Sequence, residues 1–144
     1  MHRQRKLKKR NSENFPHKVK PTFVLKLPWP PSINHYYGRT RTGQQFIGTK
    51  GKEFRKRVVE YLRFIPESDR SIAKEERVQV WVEAYPPDRR RRDLDNLKKA
   101  LLDSLTHAKV WNDDCQVDDL RVIRREVSKG GYVVVHVAVF KYDD

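Results

Sequence analysis

Between residues 88 and 99 the chain reads Asp-Arg-Arg-Arg-Arg-Asp-Leu-Asp-Asn-Leu-Lys-Lys, which sets two carboxylates, Asp93 and Asp95, inside a strongly cationic run. Carboxylates at i and i+2 face the same way on an extended backbone and can then share one hard cation. Magnesium takes oxygen ligands and keeps several waters, so a few carboxylates and a substrate's phosphate oxygens suffice for it. Lys99 lies four residues after Asp95, on the same helix face, where its ammonium can offset a carboxylate or meet a phosphate. Plainer roles compete with these. Asp95 stands where a helix should begin and can be its N-cap, Lys99 can be its i, i+4 ion-pair partner, and Asp93 can be the counter-charge of Arg89, Arg90, Arg91 and Arg92.

A second acidic group follows in Trp111-Asn112-Asp113-Asp114-Cys115-Gln116, with Asp118 and Asp119 just beyond. Adjacent acids such as Asp113 and Asp114 repel each other unless a cation or basic group is close. Phosphodiester hydrolysis needs a nucleophilic water, an electrophile for the developing charge and a stabilised leaving oxygen, and carboxylate-bound metal ions supply all three. A lysine beside the scissile phosphate adds charge stabilisation. The arginine run supplies phosphate affinity that weakens steeply with salt.

The elements that must position these groups are legible from periodicity. Alternation of Phe23, Leu25 and Leu27 predicts a strand over residues 22–27, and Pro28-Trp29-Pro30-Pro31 forces an extended loop after it. That loop continues through Asn34, His35, Arg39 and Arg41, amide and guanidinium groups suited to a nucleic-acid backbone. Phe54, Val58 and Leu62 recur at helical spacing within residues 49–64. Val78, Val80, Val82 and Ala84 predict a strand over 77–85, and Leu97, Leu101 and Leu105 a helix over 95–107. Two strands, 120–127 and 132–140, are expected to form a hairpin through Ser128-Lys129-Gly130-Gly131. The order is β-α-β-α-β-β, an α/β (α+β) domain whose mixed sheet packs with two main helices. The last strand is apolar on both faces, as in a sheet covered on both sides or a subunit interface, with His136 as a hydrogen-bonded structural residue. A helix of about a dozen residues is about 18 Å long, so Asp114 reaches Asp95 within one chain only if the segment after His107 runs tightly back along it. Completion of the site by a second subunit is the alternative.

With 144 residues the chain fits one domain, 21–144, behind a basic N-terminal arm, 1–20, that lacks periodic apolar positions. The net charge is +13; eight basic residues against Glu13 alone give residues 1–20 a charge of +7, leaving +6 for the remainder. Such a balance favours a polyanionic partner over a neutral one. No apolar run approaches the roughly 20 residues of a membrane span, so neither membrane insertion nor secretion is expected. The lone Cys115, read as a small buried or half-buried side chain, excludes an intramolecular disulfide and agrees with a reducing cytoplasm.

Three blocks, Pro28-Trp29-Pro30-Pro31-Ser32 to Tyr37, Asp88 to Asp103 with its Asp93-Leu94-Asp95-Asn96-Leu97 core, and Trp111 to Gln116, resemble in order and spacing the RusA family of crossover junction endodeoxyribonucleases, over about residues 22–142. The resemblance implies a homodimeric, magnesium-dependent (Mg2+, or alternatively Mn2+) Holliday junction resolvase that makes paired symmetric nicks in four-way DNA junctions during recombination and repair. It assigns the catalytic, metal-binding aspartates to Asp93, Asp95 and Asp114 and the essential lysine to Lys99, with Asp113 as the neighbouring acid. It further implies a bacterial or phage protein of the cytoplasm, associated with the nucleoid. The basic arm departs from the family's short start. One rival is a non-catalytic nucleic-acid-binding module, which leaves the acidic cluster unexplained. Another is a restriction-type nuclease, for which the spacing from Asp95 to Lys98 is one residue too long.

Overall fold

A computed structural model describes residues 22–140, so the expectation for the arm at 1–20 lies outside the described residues. The elements in chain order are β1 (Phe23–Pro28), α1 (Ile33–Tyr36), β2 (Tyr37–Arg39), β3 (Gln45–Ile47), α2 (Thr49–Leu62), α3 (Glu67–Arg70), β4 (Arg77–Tyr85), α4 (Asp95–His107), a 3-10 turn (Asp114–Gln116), β5 (Val117–Arg124) and β6 (Tyr132–Phe140). Four strands form a mixed sheet in the order β1-β6-β4-β5, while β2 and β3 form a separate two-stranded ribbon. The mixed α+β domain and the succession of its major elements agree with the sequence reading.

Alternation decides which face of the sheet is covered. Phe23, Leu25 and Leu27 of β1, Val133, Val135 and Val137 of β6, and Val78, Val80 and Val82 of β4 all point into one core with Phe54, Val58 and Leu62 of α2 and Leu97, Leu101 and Leu105 of α4. The other face is half open, with Tyr85 stacked on Tyr132 (ring centroids 4.4 Å apart) and Trp81 on His136 (4.8 Å). His136 is the hydrogen-bonded residue expected of it, its Nε2 lying 2.8 Å from Glu83 Oε1. Burial alone would raise the pKa of Glu83, but the hydrogen bonds from His136 and Arg125 outweigh it and hold the carboxyl below its usual range.

Two expectations fail, for one reason. β5 begins at Val117, three residues before the expected start, and it pairs in parallel with β4 rather than with β6. β6 pairs antiparallel with β4 on its other side and with β1. The segment after β5 therefore crosses the end of β4 instead of closing a hairpin: Arg125 N donates to Ala84 O and Ser128 N to Pro86 O. The glycine turn itself is present, with φ of 85° at Gly130 and 67° at Gly131. Turn chemistry reports a reversal of direction, but not which strand lies in between. The other revision is local: the stretch after Pro31, expected as a loop, carries α1 and the β2-β3 ribbon.

Gly131 must be glycine for two reasons and Gly130 for one. A Cβ on Gly131 would lie 2.8 Å from Pro87 Cδ, whereas one on Gly130 meets nothing within 4 Å. Alanine at Gly130 should therefore cost about 1–2 kcal/mol from its left-handed backbone alone. Alanine at Gly131 should cost visibly more. Urea midpoints of the two variants measure the difference, and equal midpoints would refute the Pro87 contact.

Candidate active site

The loop between β4 and α4 is shaped by Asp88. Its Oδ1 accepts the backbone N–H of Arg90 at 2.9 Å, an Asx turn, and receives Arg92 Nη1 at 2.6 Å. The hydrogen bond from Arg92, aided by that from the Arg90 backbone, holds the Asp88 carboxyl down at about 2. Arg124, at the end of β5, donates to the carbonyl of Arg92 at 2.6 Å and so ties the loop to the sheet. The counter-charge of the arginine run is thus Asp88 and not Asp93. Arg92 is held in this network, whereas Arg89, Arg90 and Arg91 are exposed.

Asp93 and Asp95 both lie at the start of α4, but not on an extended backbone. Leu94 between them is helical (φ −62°, ψ −30°) and caps α4 without a side-chain hydrogen bond, so Asp95 is not the N-cap. The Asp93 carbonyl accepts Asn96 N at 3.2 Å. Both carboxylates are exposed, and the ion pair of Asp95 runs to Lys98 at 3.2 Å rather than to Lys99. Among the described residues the Asp93 carboxylate has no hydrogen bond or ion pair. Lys99 is exposed on α4, and its charge contributes to lowering the pKa of Asp103.

Opposite Asp93, the segment after β1 forms the second wall of a cleft of about 620 Å³. Trp29, Pro31, Ser32 and His35 face Arg91, Asp93, Asn96 and Leu97 across it. A three-way polar contact pins that segment to α4. Tyr36, fully buried on α1, donates its hydroxyl to Asp103 and accepts Arg55 Nε of α2 at 2.8 Å, and Arg55 Nη2 reaches Asp103 at 2.5 Å. Burial first, and the Asp103 carboxylate next, push the Tyr36 hydroxyl up to about 12. Gly51 of α2 allows the approach, since a Cβ there would stand 2.4 Å from Tyr36 O. Asn34, Arg39 and Arg41 are exposed further along the same segment.

Asp113 and Asp114 are placed by a capping box. The Asp113 side chain accepts Cys115 N at 2.9 Å, while Gln116 Oε1 accepts Asp113 N at 3.1 Å. The Cys115 backbone N–H holds the Asp113 carboxyl below its usual range. This fixes half-buried Asp114 as the first residue of the 3-10 turn. Cys115 itself is exposed, contrary to expectation, because the turn directs it outward from the capped backbone. The pattern of an acid followed three residues later by Gln was a readable signal for this cap.

The turn belongs to the far end of α4. Val110 N donates to Leu105 O, and Trp111 Nε1 to Thr106 Oγ1 at 2.7 Å, so the chain is held at the last turn of the helix and does not run back along it. Asp95 and Asp114 consequently mark opposite ends of a 13-residue helix, about 18 Å apart along its axis. Among the described residues no three His, Cys, Asp or Glu side chains gather closely enough to hold a metal.

An α+β domain in which Asp93 lines a cleft beside Arg91 and Arg92, with Asp95 exposed two residues on, sets hard-oxygen donors next to cations, the groups that divalent metals and phosphates meet. Residues 28–138 match the endodeoxyribonuclease RusA family, and the chain belongs to that family. Similar relatives are the crossover junction endodeoxyribonucleases RusA of Shigella sonnei (strain Ss046) and of Enterobacteria phage 82, both 46% identical over 110 residues, and that of Escherichia coli (strain K12) at 44%. Each alignment covers 76% of this chain and 88% of the relative. None of the described helices is long and apolar enough to cross a membrane.

Asp88 supplies a direct check on this geometry. Its depressed folded pKa means that its pairing stabilises the fold fully above its ordinary value of 3.8, and that this contribution is lost as pH falls through about 2. A carboxyl NMR titration should place Asp88 near 2 in the native protein and return it toward 3.8 in Arg92→Ala.

Proposed function

We propose that this protein is a divalent-metal-dependent endodeoxyribonuclease that resolves Holliday junctions in recombination and repair by paired, symmetric hydrolysis of phosphodiester bonds. The observation that carries the reading is Asp93 at a cleft walled by Arg91, with Asp95 exposed two residues on, within a chain of the RusA family. Relatives bearing the name crossover junction endodeoxyribonuclease support the choice of a branched DNA substrate.

The donor chemistry fits magnesium, with manganese as a substitute: Asp93 and Asp95 are exposed hard-oxygen donors, and a magnesium ion that retains its waters needs few of them. When bound, the ion activates water and offsets charge on the phosphate. Asp93, Asp95 and Asp114 would be the carboxylates that hold it, and Lys99 would supply the positive charge that stabilises the phosphodiester as it breaks. Arg39, Arg41 and Arg89 to Arg92 draw in and orient the DNA backbone, and Asn34 adds an amide beside them. Asp113 acts through its cap, which positions Asp114.

The spacing along α4 supports a homodimer whose sites are shared. Two-fold pairing with two copies of α4 antiparallel brings the Asp95 end of one protomer to the Asp114 end of its partner, twice. Two such sites related by a two-fold axis match the pseudo-symmetry of a four-way junction.

Cleavage of a labelled four-way junction and a matched linear duplex, with and without magnesium, tests the reading. We expect symmetric nicking of the junction alone, lost without magnesium, and lost in Asp93→Asn while junction binding survives. Binding to both DNAs with no cleavage under any divalent metal would refute it. Mixing Asp95→Asn with Asp114→Asn tests the shared site: a mixed dimer regains one intact site and nicks one strand, whereas sites confined to single chains stay dead in every combination.

A further inference from the structure

From Ile33 to Lys52 the chain contains no acidic residue and four cations, Arg39, Arg41, Lys50 and Lys52. Within it the β2-β3 ribbon stands apart from the main sheet as a two-stranded finger. Its tip is well closed: Thr40 N donates to Gln44 O, Gly43 N to Thr40 O and Gln44 N to Thr40 Oγ1, while Gly43 takes a φ of 86°. Arg39 Nη1 donates to Gly43 O at 3.2 Å, which stiffens the finger further. Among the described residues neither Arg39 nor Arg41 pairs with an acid, so both keep their charge for a partner.

Phe46 on this finger is the feature that its basic charge does not explain. The ring is 47% exposed, although it is large and apolar. It faces Phe46's cross-strand neighbour Gly38, where a Cβ would come within 2.4 Å of Cζ and 2.6 Å of Cε2. The absence of a side chain at Gly38 therefore lets the ring rest on the ribbon backbone, with part of its surface left to solvent. An aromatic ring held in this way on a ribbon that also carries Arg39, and Arg41 at its tip, has the chemistry of a base-stacking platform. Gly38 lies three residues from His35, at most about 11 Å of chain, and His35 lines the same cleft as Asp93.

We propose that Phe46 stacks against a nucleobase left without a stacked neighbour at the branch point of the DNA, with Arg39 and Arg41 holding the adjoining phosphates. The inference rests on the junction-directed reading above and deepens it: the finger distinguishes a branch point, where a base face is free, from continuous duplex, where every base face is covered. Phe46 is in this role a recognition residue, and the chemistry at Asp93 and Asp95 does not pass through it.

The test compares the full-length wild type, Phe46→Leu and Phe46→Trp in magnesium-free binding to three DNAs: a four-way junction, the same junction with abasic nucleosides at the branch point, and a linear duplex. Leucine still covers Gly38 but lacks a π face, whereas tryptophan retains one. We expect Phe46→Leu to bind the intact junction about tenfold more weakly than wild type, Phe46→Trp to bind it as well as wild type, and all three proteins to bind the abasic junction and the duplex alike. Equal loss on all three DNAs, or no loss on any, would overturn the proposal. So would a lower sedimentation mass for Phe46→Leu, because the ring would then be a subunit contact. Failure of the underlying reading looks different: the wild type itself would show neither junction preference nor nicking.

Discussion

Leu97, Leu101 and Leu105 press α4 into the core formed by β1, β6, β4 and α2, and this packing sets the helix's direction and its length. β4 and β5 run parallel and adjacent, so the helix connecting them must run back against them. Whatever precedes α4 is thereby assigned to one edge of the domain and whatever follows it to the other. Asp93 and Asp95 fall at the first edge, Asp113 and Asp114 at the second. Trp111, buried and hydrogen-bonded to Thr106, holds the second edge in place. The helix is thus a rigid spacer of about 18 Å between the two acidic groups.

Charge is divided along the same lines. Asp88, Asp103, Asp118 and Glu83 each pair with an arginine and serve the fold. They close loops, pin α1 and α2 to α4, or brace the edge of the sheet. Asp93 stays exposed at the cleft with Arg91 beside it, and Asp95, Arg39, Arg41 and Arg89 are exposed as well. A carboxylate held by a guanidinium is already satisfied and has little left to offer a cation or a phosphate. The lack of an arginine partner sets Asp93 and Asp95 apart from these four acids. The phenol of Tyr36 belongs with the architecture, since desolvation and the Asp103 carboxylate keep it protonated well above neutral pH.

Much of this was legible beforehand, element by element. Period-two alternation placed β4 and β6 at their observed bounds, and the leucine spacing placed α4 at its own, because each buries one side in a single core. The cap at Asp113 and the Asx turn at Asp88 carried local signals that could have been read. The β2-β3 ribbon had only three residues per strand, too short for a period to emerge, and β5 mixes charged and apolar residues at both faces.

By itself the sequence determined the types and spacing of the reactive groups, the basic balance and the family, since these depend on residues near one another in the chain or on its total composition. Only the tertiary structure decided that β4 separates β5 from β6, that Asp88 rather than Asp93 neutralises the arginine run, and that Asp95 and Asp114 lie at opposite ends of α4. Strand neighbours, ion-pair partners and the distance between two loops are set by packing between segments remote in the chain, and local periodicity carries no record of that packing.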